Sequence, residues 1–484
     1  MIHFRPILRV SGVLLIILSF FMLSAVPVSM AYGSSDLYSF IWSALICLAI
    51  GIPLWLFNSR KEGANIGKRE GYLIVAIGWI GMAAFGMLPF LFAGVFSSFH
   101  DAFFETASGL TTTGASVLQN IEAVPEGILY WRSLTQWIGG MGIIVLTVAI
   151  LPLLGIGGIE LFVAESPGPT SDKVHPRIRE SAKRLWLIYV GLTLLLWVLL
   201  WLEGMSSFDA LNHALTTLST GGFSTKNSSV AHFDSPWIHY TIILFMMAGG
   251  TNFTIHYFLI KRQFAVVWKS EEFKTYLLLI FSLTLFVAIA LYLHHDKDPE
   301  LAFRESLFQV VSLITTTGYI TADYAHWGTG IVMLMFLCLF LGGCAGSTSG
   351  GIKIIRHLVF IKNSYLEFKR ILHPRAIVPL KISGEVVAPR IMTHIIIFLL
   401  LYLILTLLGS LGLSMMGIDF STAVGATATS IGNVGPAIGH LGPTDNFAWL
   451  PAEAKWLLAF LMIMGRLELF TIVVLFTPFF WKSN

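Results

Sequence analysis

Apolar residues run through this chain in stretches of about 20 positions, the length an α-helix needs to cross a bilayer, separated by short polar or basic breaks. The first two stretches lie near residues 8–32 and 37–57. The first follows Arg5 and Arg9 and resembles a secretion signal. Its apolar run continues to about Met30, longer than the apolar core of such a signal, so it reads as an uncleaved span. Four pairs of spans follow. Their outer members lie near 72–96, 183–204, 274–293 and 390–416, and their inner members near 128–153, 236–261, 328–361 and 452–480. Between the members of each pair sits a segment too short to cross: 101–112, 208–219, 303–316 and 420–430. A surface loop would be polar, whereas the first of these reads Ala102-Phe103-Phe104-Glu105-Thr106-Ala107 after its opening aspartate. Such segments fit half-helices that enter the membrane and turn back, tolerated at depth only where protein or water covers them.

Each half-helix runs into a similar polar end. Leu313-Ile314-Thr315-Thr316-Thr317-Gly318-Tyr319 is matched by Leu110-Thr111-Thr112-Thr113-Gly114 and, more loosely, by Leu218-Ser219-Thr220-Gly221-Gly222 and Thr429-Ser430-Ile431-Gly432-Asn433. Aligned on Gly114, Gly221, Gly318 and Gly432, the copies recur at intervals of roughly a hundred residues, so one structural unit is used four times. The expected division is an N-terminal helix pair at 1–60 and units at 61–165, 166–265, 266–375 and 376–484. A cation entering a membrane must exchange its water for groups of similar strength, and backbone carbonyls do so without fixed charge, in a way that suits potassium. Glycine adopts φ > 0, which lets consecutive carbonyls point one way. Threonines add hydroxyl oxygens, and a half-helix C-terminus supplies partial negative charge. The candidate ion-binding residues are Thr112, Thr113 and Gly114; Thr220 and Gly221; Thr317, Gly318 and Tyr319; and Ile431, Gly432 and Asn433.

Composition agrees with a polytopic membrane protein. Hydrophobic residues make up 56% and charged residues 12% of 484, with a mean hydropathy of +0.78, against about 25% charged in soluble domains. A net charge of +3 is too small to argue for nucleic acid. The three cysteines stand apart in apolar stretches, without metal or disulfide spacing. If the N-terminal tail, the loops near 58–71, 155–184, 261–274 and 353–390, and Lys482 share one side, that side collects 24 of the 30 basic residues, which predicts both termini in the cytoplasm. The other side keeps Arg132, Lys226, Lys297, Arg304 and Lys455 but about 16 of the 27 acidic residues, including Asp101, Glu105, Asp209, Glu305, Asp323 and Asp419. An acidic outer mouth that concentrates cations is expected.

The inner helices align on Gly139-Gly140, Gly249-Gly250, Gly342-Gly343 and Gly465-Arg466. For the first two pairs close packing and a functional role are equally open. The third continues Cys344-Ala345-Gly346-Ser347-Thr348-Ser349-Gly350-Gly351, too rich in glycine and hydroxyl residues to stay helical. A broken helix lining the pore is expected at 342–351, with Gly343, Gly346, Ser347, Thr348, Ser349 and Gly350 as gate residues. Arg466 lies near the midplane, where an arginine costs at least about 2.5–3.5 kcal/mol unless it meets water or a partner. It either donates to carbonyls of residues 343–350 or pairs with Glu468, although a spacing of two on a helix makes that pairing awkward.

Other candidates weigh less. His294-His295-Asp296-Lys297-Asp298 has a metal-binding composition but reads as an exposed helix end. His213 and His256 fit hydrogen bonding to neighbours, and Asn252 and Thr254 either line a cavity or bond across helices. There is no GxxxxGK, and Gly155-Ile156-Gly157-Gly158 lacks the βαβ setting of a dinucleotide site. The chain is therefore not expected to bind nucleotide itself or to be an enzyme.

On its threonine–glycine loops, the sequence resembles the Trk/Ktr/HKT superfamily of potassium translocators along nearly its whole length. The two leading spans make it most similar to the bacterial Trk-type membrane subunit. The resemblance implies an all-α polytopic fold of ten transmembrane helices and four re-entrant pore loops, a fourfold pseudo-symmetric potassium-channel-like pore, in a homodimer in the bacterial inner membrane. In that family a glycine in all four loops accompanies potassium selectivity, and the matching arginine sits below the filter beside an intramembrane loop that closes the pore. The family also implies a separate cytosolic RCK-type nucleotide-binding subunit sensitive to NADH or ATP, docked on the basic loops. The chain itself would carry no covalently bound cofactor and take only K+. The expected function is gated potassium uptake; the alternative is a proton- or sodium-coupled symporter.

Overall fold

The computed structural model describes residues 2–57, 67–145, 174–295 and 297–482. The loops expected near 58–71 and 155–184 and the end of the first inner helix lie wholly or partly outside the described residues. Helices form in the predicted order. The leading pair is Phe4–Leu23, continued by Val26–Tyr32, and Leu37–Phe57. They cross closely because Gly12 and Gly51 face each other: a Cβ on Gly12 would meet the Gly51 carbonyl oxygen at 2.7 Å. Small residues at such a crossing let two backbones approach inside the membrane.

Each of the four units then runs outer helix, re-entrant helix, inner helix. The outer helices are Lys68–Gly86, Val174–Leu202, Glu271–His295 and Pro389–Met415. They turn large apolar side chains outward, such as Leu278, Phe281 and Leu285 or Leu400, Leu403 and Leu407, as helices facing lipid must. The re-entrant helices Phe99–Leu110, Ser207–Leu218, Pro299–Ile314 and Phe420–Gly432 fill the interior. Every one begins with a side chain that satisfies an otherwise orphaned N–H. Ser98 accepts from the Asp101 amide, Ser206 from Asp209, Asp298 from Glu300 and Asp419 from Thr422.

Among the described residues three of the inner helices are broken, where only the third break was expected. Pro236–Gly249 and Phe253–Ile260 meet at 106°, and Ala452–Arg466 turns by 110° into Phe470–Phe476. At the second break Gly250 ends one helix and the Asn252 side chain caps the next through the Thr254 amide, 2.8 Å away. At the fourth, Glu468 and Leu469 take positive φ. The third inner helix stops at Cys338 and resumes at Ile354, so residues 342–351 are non-helical as expected. A short hairpin, Lys381–Ile382 with Glu385–Val386, was not expected. Its turn residues Ser383 and Gly384 both have positive φ, as a tight two-residue hairpin turn demands.

Candidate functional site

All four re-entrant helices end in one and the same way. The amides of Thr113, Gly221, Thr317 and Val434 reach back five residues to the carbonyls of Ser108, Thr216, Ser312 and Thr429, at 2.8, 2.8, 2.8 and 3.0 Å. The residue before each of them, Thr112, Thr220, Thr316 or Asn433, is left-handed, with φ of 54°, 53°, 54° and 54°. This is a helix-closing motif that normally uses glycine. A left-handed β-branched residue is a genuine outlier, costing on the order of 1–3 kcal/mol. Three threonines held this way mark a site where geometry overrides local preference.

Two residues beyond the left-handed position stands a glycine at positive φ: Gly114 (83°), Gly222 (75°), Gly318 (81°) and Gly435 (100°). This register corrects the alignment in two loops. Gly222, not Gly221, and Gly435, not Gly432, are the counterparts of Gly114 and Gly318. In the fourth unit the helix runs on through Ile431 and Gly432; Ile431 therefore lies in the helix, and Asn433 takes the left-handed place. The four glycines form a closed ring. A Cβ on Gly114 would strike the carbonyl of Gly221, one on Gly222 the carbonyl of Thr317, one on Gly318 that of Val434, and one on Gly435 that of Thr113. Each loop thus sets the oxygen of its penultimate position against the glycine of the loop before it, and the fourth returns to the first.

Side chains brace the ring from behind. Thr113 and Thr317 turn their hydroxyls to Thr111 and Thr315, 2.7 Å away in both cases, so these hydroxyls are engaged and the backbone oxygens remain. Tyr319 is also turned away: its hydroxyl meets Thr216 and the His213 carbonyl, while its own carbonyl accepts from Ser312 at 2.7 Å. It braces the third loop on the second re-entrant helix. Gln136 donates to the Gly221 carbonyl at 2.6 Å and accepts from the Phe223 amide at 3.0 Å. Glu105, expected at the outer mouth, is instead buried. It accepts from Arg132 at 2.6 Å and from the Val117 amide at 2.9 Å, and Arg132 lies 3.5 Å from the Phe223 ring centroid. His213 hydrogen-bonds the Asp209 carbonyl and Ser224, and His256 the Ala248 carbonyl.

The side expected to face outward carries fewer free carboxylates than its composition implied. Each basic residue assigned to it takes a carboxylate: Arg132 Glu105, Lys226 Asp209, Lys297 Glu305, Arg304 Glu300 and Lys455 Asp101. Asp298 is spent on a helix cap, and among the described residues no His/Cys/Asp/Glu group suits a metal ion.

Beneath the ring, residues 342–351 are threaded among the other units. The Cys344 amide donates to the Gly250 carbonyl at 2.8 Å, and the Thr348 amide and hydroxyl reach the Gly249 carbonyl at 3.2 and 3.1 Å. The same hydroxyl donates to Leu218 O at 2.9 Å. The Gly350 amide donates to the Thr316 hydroxyl at 2.7 Å, and a Cβ on Gly350 would press on Gly432 and Asn433. Ser347 and Ser349 share a hydrogen bond at 2.9 Å, the Gly346 carbonyl accepts from the Phe253 amide at 3.1 Å, and a Cβ on Gly343 would meet Gly250. Arg466 closes the assembly, donating to the Thr348 carbonyl at 2.7 Å and the Gly139 carbonyl at 3.1 Å. It stands where the other inner helices carry the second glycine of a pair. Its alternative partner Glu468 is bound to Arg356. Two anchors escaped sequence reasoning: Glu272, which accepts from the Ala345 and Ile355 amides at 2.7 and 3.2 Å, and Lys353, bonded to the Ser349 carbonyl. No spacing rule ties them to the segment they hold.

Comparison with known proteins agrees along the whole chain. A family model described as TrkH, cation transport protein, matches residues 38–483. The Trk system potassium uptake protein TrkH of Salmonella typhimurium is 41% identical over 99% of this chain and 100% of that one. That of Escherichia coli K12 is likewise 41% identical over the same shares. The crystal structure of the potassium transporter TrkH from Vibrio parahaemolyticus superposes with a TM-score of 0.91 at 38% identity, covering 99% of this chain and 100% of that one.

Proposed function

The chain belongs to the TrkH family of cation transport proteins, and from that premise we propose that it takes up potassium across the bacterial inner membrane through the ring formed by its four loops. The observation that carries this reading is the cyclic contact of Gly114, Gly222, Gly318 and Gly435 with the carbonyls of Gly221, Thr317, Val434 and Thr113. A carbonyl has two lone pairs, so each oxygen can face a dehydrated cation even where, as at Gly221, a side chain takes one of them. Rings of such oxygens exchange for the water of potassium without adding charge.

Residues 342–351 with Arg466 act as the gate. The segment lies across the ring's inner side, held by backbone and hydroxyl bonds to the second and third units, and Arg466 ties it to the fourth unit and, through the Gly139 carbonyl, to the first. A cation descending from the ring meets a guanidinium. Opening requires release of the Thr348 and Gly350 contacts. The side carrying the termini faces the cytoplasm, where an RCK-type nucleotide-binding subunit docks on the basic loops and transmits NADH or ATP to the gate; the chain works as a homodimer. Passage is uncoupled: Glu105, buried behind the ring, and the half-buried Glu468 beside Arg466 are each tied to an arginine, and the buried Asp36 and Glu70 accept backbone amides away from the ring, whereas coupled transport needs a group along the path free to titrate.

Flux into vesicles containing the purified chain tests this. Potassium uptake down an imposed potential, little sodium uptake and no accompanying proton movement are expected. Stoichiometric proton or sodium movement would replace the uncoupled reading with symport.

A further inference from the structure

A cleft of about 360 Å³ opens beside the fourth inner helix, on the side that carries the chain termini. Its walls are apolar, from Ile397 and Phe398 on the last outer helix and Val473 and Val474 after the break. Ile397 is 46% exposed, so the cleft is continuous with the lipid-facing surface. Two basic residues stand among these walls, Arg356 and His394, beside the hydroxyls of Tyr72 and Thr477. Arg356 is only 9% exposed and lies flat on Phe398, its guanidinium carbon 3.9 Å from the ring centroid. One of its terminal nitrogens binds Glu468, while the other, Nη1, is buried without a hydrogen-bond partner among the described residues. An unmatched guanidinium N–H costs about 1–3 kcal/mol or more, which an acceptor seated in the cleft would recover.

We propose that the cleft binds the headgroup phosphate of an anionic phospholipid from the adjoining leaflet, with Arg356 and His394 as donors and the apolar walls taking the acyl chain. A phosphate oxygen suits the guanidinium fork, and basic pockets between membrane helices on this side bind such headgroups. The lipid is favoured over a soluble phosphate because the walls are apolar and open to the bilayer. Its position gives it a consequence, resting on the gate reading above. Arg356 follows the gate segment by five residues and Glu468 follows Arg466 by two, so their ion pair ties the two halves of the gate together. A phosphate that draws Arg356 from Glu468 loosens that tie and favours opening.

Native mass spectrometry of the delipidated full chain, titrated with phosphatidylglycerol or phosphatidylcholine, reads binding without requiring flux. Phosphatidylglycerol should be retained, and retained about fivefold less by Arg356→Gln, the loss of roughly one basic contact. Val473→Phe, which fills the cleft but leaves the ion pair intact, should also weaken retention. Equal retention by wild type and both variants would overturn the site, and full competition by inorganic phosphate or glycerol phosphate would overturn the lipid as its source. In vesicles, phosphatidylglycerol should raise potassium flux in the wild type and fail to do so in Val473→Phe; an unchanged lipid response in that variant would refute the coupling. Intact binding with no flux in either vesicle would count against the uptake reading instead.

Discussion

At the scale of single residues, the ring glycines carry the sharpest expectations. A side chain at Gly222 or Gly435 would meet a neighbouring loop's carbonyl, and an L-residue there also bears the left-handed cost of roughly 1–2 kcal/mol. Gly222→Ala and Gly435→Ala should therefore reduce potassium-over-sodium selection by about tenfold or more, the equivalent of some 1.4 kcal/mol, measured as the flux ratio in vesicles. Gly432→Ala presses on Leu339 rather than on another loop and should leave the ratio nearer wild type. If Gly432→Ala were the damaging change and Gly435→Ala silent, the register would be wrong. Why sequence alone misplaced two of four glycines is physical. The ring position is counted from the left-handed residue that closes the helix, and three units put threonine there, the type least expected at that φ. Gly221-Gly222 offered two candidates, and Gly432 drew the eye although Asn433, which tolerates the left-handed region, was the better marker. The repeats of threonine and glycine were legible; the point where each helix stops was not.

At the scale of elements, the order of spans and half-helices could be read from apolar run lengths, and the non-helical segment 342–351 from its composition. The second and fourth breaks could not, because one glycine or a positive-φ glutamate leaves a hydrophobic run intact. Arg466→Ala removes two bonds, to Thr348 and Gly139. Charge-assisted hydrogen bonds are worth about 1.5–3 kcal/mol each, so basal potassium flux should rise at least about tenfold where closure limits it; flux no higher than wild type would remove the arginine from the gate. Arg132→Leu leaves Glu105 buried and unpaired. Breaking a buried pair from one side costs about 3–5 kcal/mol, so a clear fall in thermal midpoint in detergent is expected, and an unchanged midpoint would show the pair to be dispensable. Asp419, which caps the last re-entrant helix, is held at about 2 by hydrogen bonds from Ser421 and Thr422, below its usual 3.8. A lowered carboxyl keeps its stabilising charge above its unfolded value and loses it only as pH falls through the folded one. Transport should thus show no titration from this cap between roughly pH 5 and 8, and Asp419→Asn should leave the pH profile over that range unshifted.

For the whole molecule, charge at the mouth behaves differently from its composition. The few basic residues there each consume a carboxylate, one of them deep behind the ring, so steering of cations rests on fewer free acids than a count implies. On the proposed reading selection comes from the ring itself, four unlike loops closed by backbone contacts that run from each unit to the next. Rubidium substitutes for potassium and scatters anomalously, so crystals grown in rubidium salt test that idea most directly. An anomalous peak enclosed by the carbonyl oxygens of Thr113, Gly221, Thr317 and Val434 is expected. A ring without a peak, in crystals where rubidium is found elsewhere on the protein, would contradict it.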